Sequence, residues 1–229
     1  MRKDLIIEKA KEICKQYDVS DYPVKIVELC EKHGISVFEK YLPKEVSGLI
    51  VIQKDNYKDF NTGKLIVVNL SDSAARRRFT IAHELGHYIL HKGDQEEIYA
   101  HRDAGQNGGK EKEANIFASN ILMPENLVKN ALEDLEQKDS YGQIKISYIA
   151  KEFAVSESAA LVRLDQLGLI WLEGGLSLPN NKYSNEFAQI AENLSDSSDS
   201  IKLSDDNLVN QSNCDDETFQ YKQRDELYT

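Results

Sequence analysis

The stretch His83-Glu84-Leu85-Gly86-His87 is an H-E-x-x-H pentapeptide in a region whose apolar residues recur with helical periodicity. Residues four apart lie on one face of a helix, about 6 Å from each other, so His83 and His87 can both bind one tetrahedral zinc ion. Glu84 lies next to this pair, where its carboxylate can take a proton from a water that attacks a carbonyl group. The pattern predicts one zinc ion per chain, with His83 and His87 as ligands and Glu84 as the catalytic base.

A hydrolytic zinc ion needs a third protein ligand and an open fourth position. The longer motif H-E-x-x-H-x-x-G-x-x-H is absent, because residue 90 is leucine instead of glycine. His91 is on the same predicted helix but about 12 Å along its axis from His83, which is too far to share one metal ion. The third ligand is therefore expected from another part of the chain.

A predicted helix at 111–122 offers two carboxylates, Glu111 and Glu113. They are two positions apart, roughly 200° around the helix, so only one of them can face the zinc ion. Periodicity alone does not choose between the two, although Glu113 shares a face with Phe117 and so points more towards the interior.

The surrounding sequence predicts an α+β fold. Short β-branched runs separated by turn residues indicate a small sheet of about three strands, at 35–38, 48–52 and 65–70. Apolar residues at helical spacing predict five helices, at about 4–17, 23–34, 71–91, 111–122 and 125–137. The polar, glycine-containing segment 92–110 is expected to form a long loop.

Two motifs together resemble the ImmA/IrrE family of metallo-endopeptidases. One is Arg78-Phe-Thr-Ile-Ala-His-Glu-Leu-Gly-His-Tyr-Ile-Leu-His91, and the other is Glu113-Ala-Asn-Ile-Phe-Ala-Ser-Asn-Ile-Leu-Met-Pro124. The resemblance covers roughly residues 20–170 and implies a zincin-like fold in which Glu113, the glutamate before Ala-Asn, is the third zinc ligand. It also implies a peptidase of bacteria, phages or mobile elements that cleaves a helix-turn-helix transcriptional repressor and so relieves repression.

The segment 144–170 has the pattern of a helix, a turn at 154–156 and a second helix, with Ser156 as N-cap and Gly168 as the stop. Its basic residues are balanced by acidic ones, so it lacks the excess positive charge that phosphate contacts require. A structural or substrate-docking role is therefore favoured over DNA binding. The alternative is a DNA-binding or partner-capturing transcriptional regulator with a structural or sensory zinc site.

Composition narrows the class of protein further. The net charge of −11 argues against nucleic-acid binding by the whole molecule. No apolar run approaches the ~18 residues that a membrane span needs. Charged residues occur from the second position onward, so the apolar stretch of a signal peptide is not expected. A cytoplasmic protein without membrane contact is therefore expected. Three scattered cysteines are too few for a disulfide framework or a thiolate metal site.

The last fifty residues, 180–229, contain 11 acidic and 4 basic residues and many Ser and Asn. Such a composition buries too little apolar surface to offset the entropy of ordering, so we expect a mostly disordered acidic tail after a metallopeptidase domain at 1–179.

Several polar residues near the pentapeptide have less specific expectations. The run Arg76-Arg77-Arg78 is expected to solvate the first turns of the active-site helix, and the alternative is that one of the three pairs with Glu111 or an acidic loop residue. Candidates to stabilise the oxyanion of a tetrahedral intermediate, which the sequence does not rank, are Tyr88, His91, His101 and Arg102.

Overall fold

The computed structural model describes residues 2–52, 63–91, 108–138, 146–169 and 201–202. The helices within these ranges are α1 (Lys3–Gln16), α2 (Ile26–Lys32), α3 (Ala74–His91), α4 (Gly108–Leu122), α5 (Glu125–Lys138), α6 (Ile146–Glu152) and α7 (Glu157–Gln166). The strands are β1 (Ser36–Lys40), β2 (Gly48–Ile52), β3 (Lys64–Asn69) and the two-residue β4 (Ile201–Lys202).

The strands form one mixed sheet in the order β2-β3-β1-β4. β1 runs parallel to β3, with Phe38 opposite Val67, whereas β2 runs antiparallel to β3, with Ile50 opposite Ile66. β4 pairs antiparallel with β1. The predicted α+β class and small sheet are confirmed, and the zincin-like description stays a prediction.

The main core lies between the sheet and the helices. α1 contributes the stripe Ile6, Ala10 and Ile13, which is buried because its members recur every three to four residues. α3 packs against β2 and β3 on one side and against α4 on the other, and α4 also packs against α1. α3 is therefore enclosed by the sheet and α4, and the H-E-x-x-H segment lies inside the protein.

Gly48, the first residue of β2, lets α3 approach the sheet closely. A Cβ atom at this position would lie 2.5 Å from the Thr80 side chain and 2.8 Å from the Val67 carbonyl oxygen. Thr80 is one helical turn before His83. The absence of a side chain at Gly48 thus allows α3 to pack closely on β2 and β3.

The prediction of solvated arginines is wrong for two of the three. Arg77 is buried, and its Nε lies 3.0 Å from the carboxylate of buried Glu39 on β1. Arg78 is fully buried and donates hydrogen bonds to the carbonyl oxygens of Val24 (2.7 Å) and Ala154 (3.1 Å). A buried guanidinium is stable only where acceptors surround it. The acceptors of Arg77 and Arg78 lie on other segments of the chain, so both side chains hold the first turns of α3 in place.

The helix pair α6–α7 has the turn that the sequence predicts. Ala154 lies in the left-handed region with a φ of 49°, and the Ser156 hydroxyl caps α7 by accepting from the Ala159 amide. Gly168 follows α7 with a φ of 68°. Arg163 is buried in this pair and donates to the carbonyl of Met123 at the end of α4. The basic side chain in the middle of α7 therefore faces the protein interior.

Two boundaries differ from the prediction. α2 begins at Ile26, not near Pro23, and the carbonyl of Val24, just before the N-cap residue Lys25, accepts a hydrogen bond from Arg78. α4 begins at Gly108, inside the segment expected to be a loop, and the rest of that segment, 92–107, lies outside the described residues.

Most of the predicted acidic tail also lies outside the described residues, except that Ile201–Lys202 forms β4. Among the helices that are described, none is both long enough and apolar enough to cross a membrane.

Candidate metal centre

His83 and His87 lie one helical turn apart on the buried face of α3, as their spacing predicts. Their Nε2 atoms are 2.9 Å apart, and the two rings meet edge to face with centroids 4.6 Å apart. Both rings therefore direct the same nitrogen towards a common point.

Glu111 completes this group from α4. Its two carboxylate oxygens lie 3.2 Å from Nε2 of His83 and 3.4 Å from Nε2 of His87. The three ligand atoms are all within 4.8 Å of one another. The glutamate side chain is 22% exposed, whereas the two histidines are almost fully buried.

The structure brings Glu111, and not the predicted Glu113, to the two histidines. The Glu113 carboxylate instead lies 3.5 Å from Nε2 of His91, one turn further along α3. The reason is the rotation of α4, whose residues 111, 114 and 115 face the H-E-x-x-H segment. Phe117 packs against Gly86 of α3, between the two histidines, whereas Glu113 lies beside His91.

Asn115 is a residue that the sequence reasoning missed. Its Oδ1 lies 2.8 Å from Nδ1 of His83, on the opposite side of the ring from Glu111. The available signal was its spacing, since Asn115 is four residues after Glu111 and therefore shares its helix face.

Glu84, the predicted base, lies between the histidines in sequence and is fully buried. Because it is on the same helix as both histidines, its position relative to them is fixed by the backbone of α3. The structure thus keeps an acidic side chain in the interior of the protein, next in sequence to His83.

The oxyanion candidates have different surroundings. The Tyr88 hydroxyl, largely buried, accepts a hydrogen bond from Nζ of Lys64 at 2.9 Å. His91 lies beside Glu113, and burial lowers the pKa of its imidazole below the usual range. His101 and Arg102 lie outside the described residues. All four remain candidates for the oxyanion role.

The donor set fits a divalent transition metal. Two imidazole nitrogens and one carboxylate oxygen are a ligand combination of catalytic zinc sites, which use three protein ligands and keep a fourth position open. Two ligands at about 2.1 Å from a tetrahedral ion lie roughly 3.4 Å apart. The separations here, 2.9 to 3.4 Å, are close to that value.

The sequence from residue 30 to 165 matches the profile of a peptidase family described as the IrrE N-terminal-like domain. The match covers more than half of the chain. The chain therefore belongs to this family of metallopeptidases, as the resemblance of its two motifs suggests.

Three relatives agree with this assignment. The radiation response metalloprotease IrrE of Deinococcus radiodurans is 35% identical over 106 residues, covering 44% of this chain and 31% of that protein. The metallopeptidase ImmA of Bacillus subtilis is 25% identical over 183 residues, covering 80% of this chain and 93% of that protein. The uncharacterized immunity region protein 2 of Bacillus phage phi105 is 31% identical over 121 residues, covering 53% of this chain and 70% of that protein.

Proposed function

We propose that the chain is a zinc-dependent endopeptidase in which His83, His87 and Glu111 bind the metal ion and Glu84 is the general base. The observation that carries this proposal is the convergence of two buried imidazoles and one carboxylate from two different helices. A bound zinc ion would supply Lewis acidity that polarises the scissile carbonyl group and lowers the pKa of water.

Glu84 takes the proton of the attacking water and transfers it to the leaving amine as the peptide C–N bond breaks. Its position next to His83 on α3 supports this role, because one helix backbone holds the base and the two histidine ligands in a fixed arrangement. Its burial supports it as well, since desolvation disfavours the charged form of a carboxyl group and so makes the carboxylate a stronger proton acceptor.

We propose that the substrate is a helix-turn-helix transcriptional repressor of the phage or mobile-element type, whose cleavage relieves repression. This follows the resemblance of the two motifs to the ImmA/IrrE family. It is supported by the name of the phage phi105 relative, an immunity region protein.

A DNA-binding role for the pair α6–α7 receives less support. Arg163 is buried against Met123, so it is not positioned to contact a phosphate. We therefore assign α6–α7 a structural or substrate-docking role within the peptidase.

Expression of the wild-type chain and of Glu84→Gln in the native host, followed by comparison of the two proteomes, tests the function. We expect a repressor that is shortened with the wild type and intact with the variant. With purified components, Glu84→Gln should cleave about 10²- to 10⁴-fold more slowly while it retains zinc. Glu133→Gln, which changes an exposed carboxylate on α5, is the matched control and should cleave like the wild type.

Equal cleavage of a confirmed substrate by Glu84→Gln would contradict the role of Glu84. Capture of the repressor by the wild-type chain without any fragment would contradict peptidase activity and favour the partner-capturing regulator.

A further inference from the structure

Asn115 contacts the ring nitrogen of His83 that faces away from Glu111. The distance between Oδ1 of Asn115 and Nδ1 of His83 is 2.8 Å. An amide oxygen can only accept a hydrogen bond, so Nδ1 must carry the proton in this contact.

A neutral imidazole has one N–H group and one nitrogen with a free lone pair. With the proton on Nδ1, the lone pair of His83 is on Nε2, the atom that faces Glu111 at 3.2 Å and His87 at 2.9 Å. This is the tautomer that a metal ion bound at Nε2 requires. The opposite tautomer would place a hydrogen atom where the ion binds.

We propose that Asn115 is a positioning residue that holds His83 in the Nδ1–H tautomer and fixes the orientation of its ring. The inference rests on the proposed function, because it concerns the same metal centre. Hydrogen-bond acceptors on the outer nitrogen of a metal-binding histidine generally fix its tautomer and raise its affinity as a ligand.

The backbone of α4 makes this arrangement rigid. Glu111 and Asn115 are four residues apart on α4, just as His83 and His87 are four apart on α3. One face of α4 therefore supplies both the carboxylate and the amide, on the two sides of the His83 ring. Any rotation of α4 would move both contacts together.

Zinc affinity of the full chain, measured by competition with a chelator at pH 7, tests the proposal. Asn115→Leu has nearly the same size but no acceptor, and should bind zinc about 10- to 100-fold more weakly than the wild type. Asn115→Asp keeps an acceptor oxygen and should stay within about threefold of the wild type. Asn120→Leu is the matched control, because Asn120 is buried on the same helix but donates to the Ile116 carbonyl.

Wild-type zinc affinity in Asn115→Leu would overturn the positioning role, as would an equal loss in Asn115→Asp. An equal loss in Asn120→Leu would also overturn it, since the effect would then belong to α4 as a whole. Absence of zinc binding by the wild type would instead overturn the proposed function.

The tautomer of His83 in the metal-free wild-type chain gives a second, independent readout. Nitrogen-15 NMR of the imidazole distinguishes the two tautomers without any variant and without activity. We expect the Nδ1–H form, and observation of the Nε2–H form would overturn the proposal even if the Asn115 variants fail to fold.

Discussion

Ala114 of α4 packs directly on Gly86 of α3. A Cβ atom placed on Gly86 would lie 3.3 Å from both the Cα and the carbonyl oxygen of Ala114, and 3.0 Å from the Phe117 ring. Gly86 lies between the two histidines, and Ala114 is three residues after Glu111. The contact between the two small residues therefore sets how closely Glu111 approaches His83 and His87.

Gly86→Ala should lower the free energy of unfolding by about 1–3 kcal/mol, because the added methyl group pushes α4 away from α3. It should also weaken zinc binding, since Glu111 moves with α4. Gly109→Ala is the control, because a Cβ atom there meets nothing within 4 Å, and it should leave stability unchanged or raise it by up to about 1 kcal/mol. Denaturant titration checks both values, and equal stability of the two variants would contradict the close packing.

Glu111→Gln should lose stoichiometric zinc, whereas Glu113→Gln should retain it. The physical reason is that the Glu111 carboxylate faces both histidines at 3.2 and 3.4 Å, while Glu113 faces His91. Metal analysis of the two purified variants measures the difference. The reverse result would return the third-ligand role to Glu113, the residue that the motif resemblance implies.

Arg78→Met should lower the free energy of unfolding by about 3 kcal/mol, because it removes two buried hydrogen bonds and leaves their carbonyl acceptors desolvated. Arg76→Met is the matched control. Arg76 is 46% exposed, pairs with partly buried Asp72 and donates to the Ser47 hydroxyl, so its loss should cost less than that of Arg78, about 1 kcal/mol. Thermal and chemical unfolding of both variants provides the comparison, and similar losses would argue against a special role for Arg78.

Cys14 should react slowly with iodoacetamide in the folded protein. Burial raises the pKa of its thiol to about 11, so at pH 8 only about one molecule in a thousand carries the reactive thiolate. The alkylation rate should therefore rise about tenfold per pH unit up to about pH 10. The measurement uses a chain that carries both Cys30→Ala and Cys214→Ala, so that Cys14 is its one remaining cysteine. The same chain unfolded in guanidinium should level off near the ordinary thiol pKa of about 8.5, and a matching profile in the folded protein would contradict burial of Cys14.

Features that depend on local sequence could be predicted. The spacing of His83 and His87 places both rings on one face of α3, and Ser156 caps α7 through a hydrogen bond to a residue three positions away. The sheet strands follow from short β-branched runs in the same way. Each of these features involves residues that are close together in the chain.

The third member of the metal-binding group could not be predicted in the same way. The choice between Glu111 and Glu113 depends on how α4 is rotated against α3, which is set by the packing of Ala114 on Gly86 across a long sequence separation. The burial of Arg77 has a similar origin. Its partner Glu39 is on β1, far from Arg77 in the sequence, so no local sequence pattern predicts that the two side chains pair.

Arg78 also limits how the chain can be divided. Its guanidinium joins the segment before α2 and the turn before α7 to the N-terminal part of α3, the helix that also carries His83 and His87 further along. We therefore do not expect the helix pair α6–α7 to fold independently of the rest of the chain. A fragment that ends before α6 would lack the Ala154 carbonyl that accepts a hydrogen bond from Arg78, and its α3 would be less stable. If zinc binds as proposed, thermodynamic linkage predicts that it protects α6–α7 against amide hydrogen exchange, although the proposed ligands His83, His87 and Glu111 all lie on α3 and α4.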